Sequence, residues 1–320
     1  MDSVKKIIGR ELETFEKKFA DAVRSQTPML DRIMKYIIKR KGKQMRPMFV
    51  FLSARLNGEV NESTYRAAAL VELLHTATLV HDDVVDESME RRGFFSINAI
   101  WKNKIAVLVG DYLLSKGLLL STSNDDFMHL HILSDAVRLM SEGELLQIEK
   151  SRKLNLDEGI YFEIIRSKTA SLLASACAVG AYSTSQDKEA MEKMKLFGEK
   201  VGIAFQIKDD LFDYGKEDVG KPTGNDIREK KLTLPLIYTL NNIDKDTRRK
   251  IIYSLKNENK NKESIRFIID CVVKSGGIKY AETKMNLYRD EALQILHTFD
   301  DSPVRSALEE LVRFTTDRKY

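Results

Sequence analysis

Two acidic clusters repeat one pattern. The first is His81-Asp82-Asp83-Val84-Val85-Asp86 and the second is Asp209-Asp210-Leu211-Phe212-Asp213. In each, the outer aspartates stand four residues apart. On a helix that spacing puts both carboxylates on one face, about one turn from each other. Like charges so placed repel, at a cost of about a few tenths of a kcal/mol. Each cluster also closes an apolar stretch, ELLHTATLV before the first and GIAFQIK before the second. Carboxylates beside a core need a cation or hydrogen-bond donors, because bare burial is costly. Hard oxygen donors of this kind suit Mg²⁺, which takes one or two carboxylates and completes its shell with waters and phosphate oxygens. One such cluster is compatible with a solvated helix end. Two of them, each closing a core-type helix, offer two carboxylate walls between which metal ions could clamp a diphosphate.

Basic residues stand beside these acids. Arg91 and Arg92 follow the first cluster. Lys168 and Thr169 lie in a helix of small residues, and Lys221 and Lys231 in the loop after the second cluster. Lys43 and Arg46 belong to KGKQMRP, where Pro47 is expected to open a helix whose N-terminus attracts anions. Each basic residue alone reads as surface charge. Acids and bases alternating around two motifs fit a site for Mg²⁺ and two diphosphates.

The elements that must carry these groups are helices. Period-3.6 apolar patterning runs through 64–89, 105–122, 129–150, 159–182, 188–214 and 233–241. Ala, Leu, Met, Glu and Lys dominate these segments, and all favour helix. No alternating strand pair closed by Asn-Gly or Asp-Gly occurs, so no hairpin is expected. ASLLASACAVGAY and KIAVLVGDYLLSKGLLLS are apolar on more than one face, which suits the middle of a bundle. The five prolines and the lack of a Pro/Gly/Ser-rich linker predict one domain over 1–320. The exception is 215–232, read as a long functional loop. Residues 244–262 read as a solvated helix pair.

Composition narrows the function. The chain has 320 residues, 52 basic against 48 acidic, for a net charge of +4. That mild balance gives no footprint for nucleic acid. Cys177 and Cys271 lie in apolar surroundings and are expected to be buried free thiols in a reducing compartment. The N-terminal segment lacks the apolar core of a signal peptide, and no run of 18 apolar residues suggests a membrane span.

Together GKQMRP, ELLHTATLVHDDVVDESMERRG, GDYLLSKG, EGELLQ, KTASLL, FQIKDDLFD and GKPTGNDIREKKLTLP closely resemble the trans-isoprenyl diphosphate synthases. The motifs stand in family order from about residue 40 to 240, and most resemble the long-chain, hexa- to octaprenyl members. The resemblance implies an all-α, single-domain helical bundle around a deep central cavity, working in the cytoplasm as a homodimer, with peripheral membrane contact on product release. It implies Mg²⁺ held by Asp82, Asp86 and Asp209, with Asp83, Asp210 and Asp213 in support. Arg91, Lys168 and Lys221 would bind the allylic diphosphate, joined by Lys231. Lys43, Arg46, His75 and Arg92 would bind isopentenyl diphosphate. Thr169 and Gln206, with Lys168, would line the space where a carbocation develops. Ionisation, condensation and elimination would follow, with the departing diphosphate as base. Two departures are noted. Lys41-Gly42-Lys43-Gln44 stands where the family often has Gly-Gly-Lys-Arg, and Lys230 replaces a glycine in the late loop.

Product length is a matter of room. In this family the positions four and five before the first aspartate motif face the growing tail, and here they are Thr78 and Ala77. A small Ala77 leaves the way open, and the two spacer residues inside the first motif resemble the longer-chain class. The expectation is a product beyond C20, of C30 to C40, made from a farnesyl or geranylgeranyl primer for a quinone side chain. A terpene cyclase would carry an Asn/Ser/Glu second metal motif and lack Lys43, Arg46 and His75. A non-catalytic partner subunit would have lost aspartates or the basic set. His81 reads as a core histidine ahead of the alternative, a supporting partner of the neighbouring aspartates.

Overall fold

The computed structural model describes residues 2–39, 42–91, 93–153, 157–215 and 224–318. Arg92 and Lys221 therefore lie outside the described residues. The protein is all-α, apart from one two-stranded antiparallel ribbon, β1 (Glu90–Arg91) with β2 (Phe94–Phe95). That ribbon corrects the expectation of no hairpin. It turns at Gly93, whose φ of +76° is cheap only for glycine, and two-residue strands are too short to show an alternating pattern.

The chain forms two compact units. The first comprises Met1–Val137, Leu172–Lys195 and Asp301–Leu308. It holds α1 (Asp2–Ala22), α2 (Pro28–Ile38), α3 (Met45–Asn57), α4 (Glu62–Val85), α5 (Ile97–Trp101) and α6 (Asn103–Thr122). Helix α3 opens at Met45, two residues before the expected Pro47, after Gln44 in the left-handed region. Helix α4 is capped by Asn61, whose side chain accepts from the Thr64 amide at 3.2 Å while Thr64 Oγ1 accepts from the Asn61 amide. Its run of Ala67, Ala68, Ala69, Leu70, Val71, Leu73 and Leu74 is buried all round, which makes it a central helix. One core cluster joins Leu73, Ala77 and Val80 of α4 to Ala106, Val109 and Leu113 of α6. Trp101 packs edge-on against Tyr36, ring centroids 5.0 Å apart.

The second unit comprises Arg138–Ser171, Leu196–Asp300 and Glu309–Tyr320. The expected 159–182 helix is divided here. Helix α8 (Glu158–Ile165) passes into a π-turn, Arg166–Ala170, and then into α9 (Ser171–Ser185), which from Leu172 on belongs to the first unit. Helix α7 (Phe127–Lys153) enters this unit at Arg138 and α10 (Lys188–Phe212) at Leu196. The 215–232 segment contains a short helix, α11 (Asn225–Arg228). Beyond it lie α12 (Leu234–Asn242), α13 (Lys245–Asn257), α14 (Lys262–Ser275), α15 (Gly277–Leu296) and α16 (Pro303–Asp317). The 244–262 segment is one helix and a turn rather than a pair, and Ile251 and Leu255 of α13 are fully buried. Ile203, Ile207, Leu234, Leu236 and Ile268 join in this unit's core.

Cys177 is buried, and burial pushes its thiol up to about 12. Cys271 is only half-buried, a correction to the sequence reading: it packs against the second unit's core without being enclosed by it. Helix α6 has the length and hydropathy of a membrane span, yet Gly110, Leu113 and Gly117 on one face are packed in the core. Val107, Leu108, Leu118 and Leu119 stand exposed on its other side.

Candidate active site

Each acidic cluster sits at the C-terminal end of a long helix. Asp82 and Asp83 belong to the last turn of α4, and Asp86 is its C-cap, its amide bonded to the Asp82 carbonyl at 2.8 Å. Asp209 and Asp210 lie in the last turn of α10, which ends at Phe212. Helix C-termini carry partial negative charge, so acids there are unfavourable until a cation arrives.

The middle acid of each cluster is turned inward and used as an anchor. Asp83 is 4% exposed, and its Oδ1 accepts from Arg91 Nε at 2.7 Å. Burial raises its pKa and Arg91 works against that rise. Asp210 is 6% exposed and has both oxygens engaged: Oδ2 accepts from Tyr161 Oη at 2.7 Å and Oδ1 from Gln206 Nε2 at 2.8 Å. Burial, then the negative charge of Asp226, push the Asp210 carboxyl up to about 7. Burial and the Asp210 charge hold the Tyr161 phenol well above its ordinary value. The bonding continues outward, with Thr169 Oγ1 donating to Gln206 Oε1 at 2.8 Å. Tyr161, Asp210, Gln206 and Thr169 thus form one chain of hydrogen bonds in the second unit, each member fixing the next.

A cavity of about 110 Å³ in the second unit is lined by this chain together with Gln147, Lys168, Asp226 and Lys231. Lys168 and Thr169 both reach it from the π-turn, whose Ser171 amide bonds back to the Arg166 carbonyl. Single π-turns inside α-helices are rare and gather at functional sites. Lys168 pairs with Glu144 and reaches Gln147 Oε1 at 3.5 Å. Two glycines let neighbouring helices close on the turn. A Cβ at Gly143 would stand 2.8 Å from Ser167 Cβ, and one at Gly202 2.6 Å from Ala170 Cα.

The last acid of the second cluster organises the loop that follows. Asp213 accepts from the amides of Asn225 at 2.7 Å and Asp226 at 3.1 Å, holding the start of α11. Burial raises its pKa and those amides oppose the rise. Asp226 is pushed up to about 6, by burial first and then by Asp213. Lys231 pairs with Glu229. Asp209 is bonded to Arg318 at 2.5 Å.

In the first unit, Arg46 Nη1 lies 3.8 Å from Glu72 Oε1, one turn before the buried His75 on α4. Lys43 is exposed just ahead of α3. Ala77 is fully buried, and Thr78 donates to the His75 carbonyl at 2.9 Å. His81 is not a core histidine: it is 32% exposed, with Nε2 3.3 Å from the Val107 carbonyl and 3.5 Å from Asp111. It fits against α6 only because Gly110 has no side chain.

Residues 27–272 match the polyprenyl synthetase family. The chain belongs to that family. Over 314 residues it is 34% identical to the geranyl-diphosphate-specific all-trans-nonaprenyl-diphosphate synthase of Rhodobacter capsulatus, covering 97% of this chain and 96% of that one. It is 30% identical to the octaprenyl diphosphate synthase of Escherichia coli, covering 99% of each. The polyprenyl synthase of Caulobacter crescentus, solved with calcium and isoprenyl diphosphate, superposes with a TM-score of 0.91 at 33% identity, over 100% of this chain and 98% of that one. This polyprenyl synthetase is a prenyltransferase of the long-chain trans type, and its substrates are isoprenyl diphosphates.

The motifs single out the aspartates and most of the cations as candidates. They do not single out Tyr161, Glu144, Gln147, Asp226 or Arg318. Glu144 and Gln147 were within reach, since they stand three apart on one face of the EGELLQ motif. Tyr161 carried no signal beyond a tyrosine in an apolar helix.

Proposed function

We propose that this polyprenyl synthetase condenses isopentenyl diphosphate with an allylic diphosphate to give a linear all-trans chain beyond C20 for a quinone side chain. In this reading the whole of 1–320 acts as one catalytic domain. The observation that carries it is the second-unit cavity. Lys168, Thr169 and Gln206 line it together, and the buried Asp210–Tyr161 pair fixes Gln206 and, through it, Thr169. Thr169 donates to Gln206, so its oxygen lone pairs are left to face positive charge. Fixed dipoles aimed at a developing charge are the strongest single aid to such a reaction.

The donor set fits Mg²⁺. The carboxylates are hard oxygen ligands, and a guanidinium already rests on Asp209. Among the described residues no three acidic, His or Cys side chains converge to hold an ion by themselves. Asp82, Asp86 and Asp209 would hold the metal, whose charge would assist departure of the diphosphate. Arg91, Lys168, Lys221 and Lys231 would neutralise that leaving group, and Lys43, Arg46, His75 and Arg92 would bind the isopentenyl diphosphate. Asp83, Asp210 and Asp213 would position rather than ligate. The exposed apolar side of α6 is consistent with a second copy of this chain covering it, hence a homodimer. A cytoplasmic enzyme that meets a membrane surface when it releases product completes the reading.

The test is incubation of the purified protein with labelled isopentenyl diphosphate, farnesyl or geranylgeranyl diphosphate, and Mg²⁺, followed by chromatography. Products beyond C20 that vanish with EDTA are expected. Asp82→Asn and Asp209→Asn should each lower kcat by at least about 100-fold. Full turnover in either variant would refute the assignment.

A further inference from the structure

We propose that Arg318, at the end of α16, is a built-in counter-ion that sets how tightly Asp209 takes a divalent metal. The inference rests on the reading of Asp209 as a metal ligand. Phe205, Asp209 and Phe212 fall at i, i+4 and i+7 on α10, one stripe of that helix. The Arg318 guanidinium lies over this stripe, 4.2 Å from the Phe205 ring centroid and 5.2 Å from that of Phe212. Its Nη2 donates to Asp209 Oδ1 at 2.5 Å and its Nε to the Thr315 carbonyl at 3.1 Å. The side chain is 18% exposed.

Among the described residues, its aromatic, carboxylate and carbonyl contacts are ones a cation wants. Two aromatic faces, a carboxylate and a backbone carbonyl surround it, at the negative end of a helix dipole. The arginine is held there because Leu311, Val312, Thr315 and Thr316 of α16 are buried. The guanidinium occupies a carboxylate oxygen that a metal would also use. A metal ion arriving alone must break or stretch this pair. An ion arriving with a diphosphate brings further contacts from the lysines and displaces the arginine more readily. Arg318 therefore weakens the binding of metal that comes alone. The segment beyond residue 245, which carries no motif, acquires a role in the site by delivering one residue to it.

The test is a titration of substrate-free, full-length protein with Mn²⁺, following free Mn²⁺ by electron paramagnetic resonance. Arg318→Ala should tighten binding about three- to tenfold, the scale of one partly exposed charge pair with aromatic support. Arg318→Lys keeps a cation at the end of the helix but loses the planar stack on Phe205 and Phe212, and should fall between the native protein and Arg318→Ala. Asp209→Asn should abolish the binding that Arg318→Ala enhances. Unchanged or weaker binding in Arg318→Ala, with binding lost in Asp209→Asn, overturns the counter-ion role and leaves Asp209 standing as a ligand. Native-like binding in Asp209→Asn refutes the ligand reading itself. Thermal melts of Arg318→Ala check that α16 remains docked.

Discussion

The two buried middle aspartates show how a residue's neighbours decide its work. Asp83 and Asp210 look identical to their flanking acids in sequence, yet each spends its oxygens on protein donors. Another buried titratable group, His129, has no such satisfaction. It is 3% exposed, its Nδ1 is 3.6 Å from Asp126 Oδ1, Arg66 shares that carboxylate, and the Tyr182 ring lies edge-on. Burial lowers its pKa from 6.5, and Asp126 only partly offsets this. The folded imidazole therefore stays neutral at a pH where the unfolded one takes a proton. Stability should fall as pH drops below about 6.5, until the folded group also protonates. Denaturant melts between pH 8 and 5 should show this loss in the native protein and a flatter profile in His129→Gln. Parallel profiles would exclude the effect.

At the scale of elements, the π-turn brings Lys168 and Thr169 to the cavity, and Gly143 and Gly202 on neighbouring helices let it pack closely. The same substitution should have opposite signs at two helical glycines. Ala in place of Gly in a helix gains about 0.5–1 kcal/mol from backbone entropy. At Gly9 a Cβ meets nothing within 4 Å, so Gly9→Ala should stabilise by about that amount. At Gly202 a Cβ would press on the Ala170 backbone at 2.6 Å, which cannot rotate away. Overpacking there should cost about 1–3 kcal/mol and outweigh the gain. It would also part α10 from the π-turn and break the Thr169–Gln206 bond. Gly202→Ala should thus lower both Tm and kcat, whereas Gly9→Ala should raise Tm and leave kcat unchanged.

For the whole molecule, the question is how long a chain it makes. Ala77 lies in the apolar cluster that joins α4 to α6, below Thr78 and near Leu74. On α6, Gly117 lets Leu70 approach, a Cβ there standing 2.9 Å from Leu70 Cδ1. If the tail grows along α4, a ring at position 77 should stop it early. Ala77→Phe should shift the product to about C20 or shorter while the protein still melts cooperatively. An unchanged product ladder would show that the tail does not pass this residue.

The sequence determined the all-α class, five of the six patterned helices and both aspartate clusters, because each rests on local spacing. It also carried the family, since seven motifs in fixed order cannot arise from composition. The π-turn was not legible: 159–182 has unbroken helical patterning, and the extra residue is accommodated because Gly143 and Gly202 admit it from helices far along the chain. The roles of Asp83 and Asp210 were hidden for the same reason, as their partners Arg91 and Tyr161 are brought to them by folding. Arg318 lies 109 residues from Asp209. No periodicity links residues so far apart, so only the tertiary structure could bring that cation to that acid.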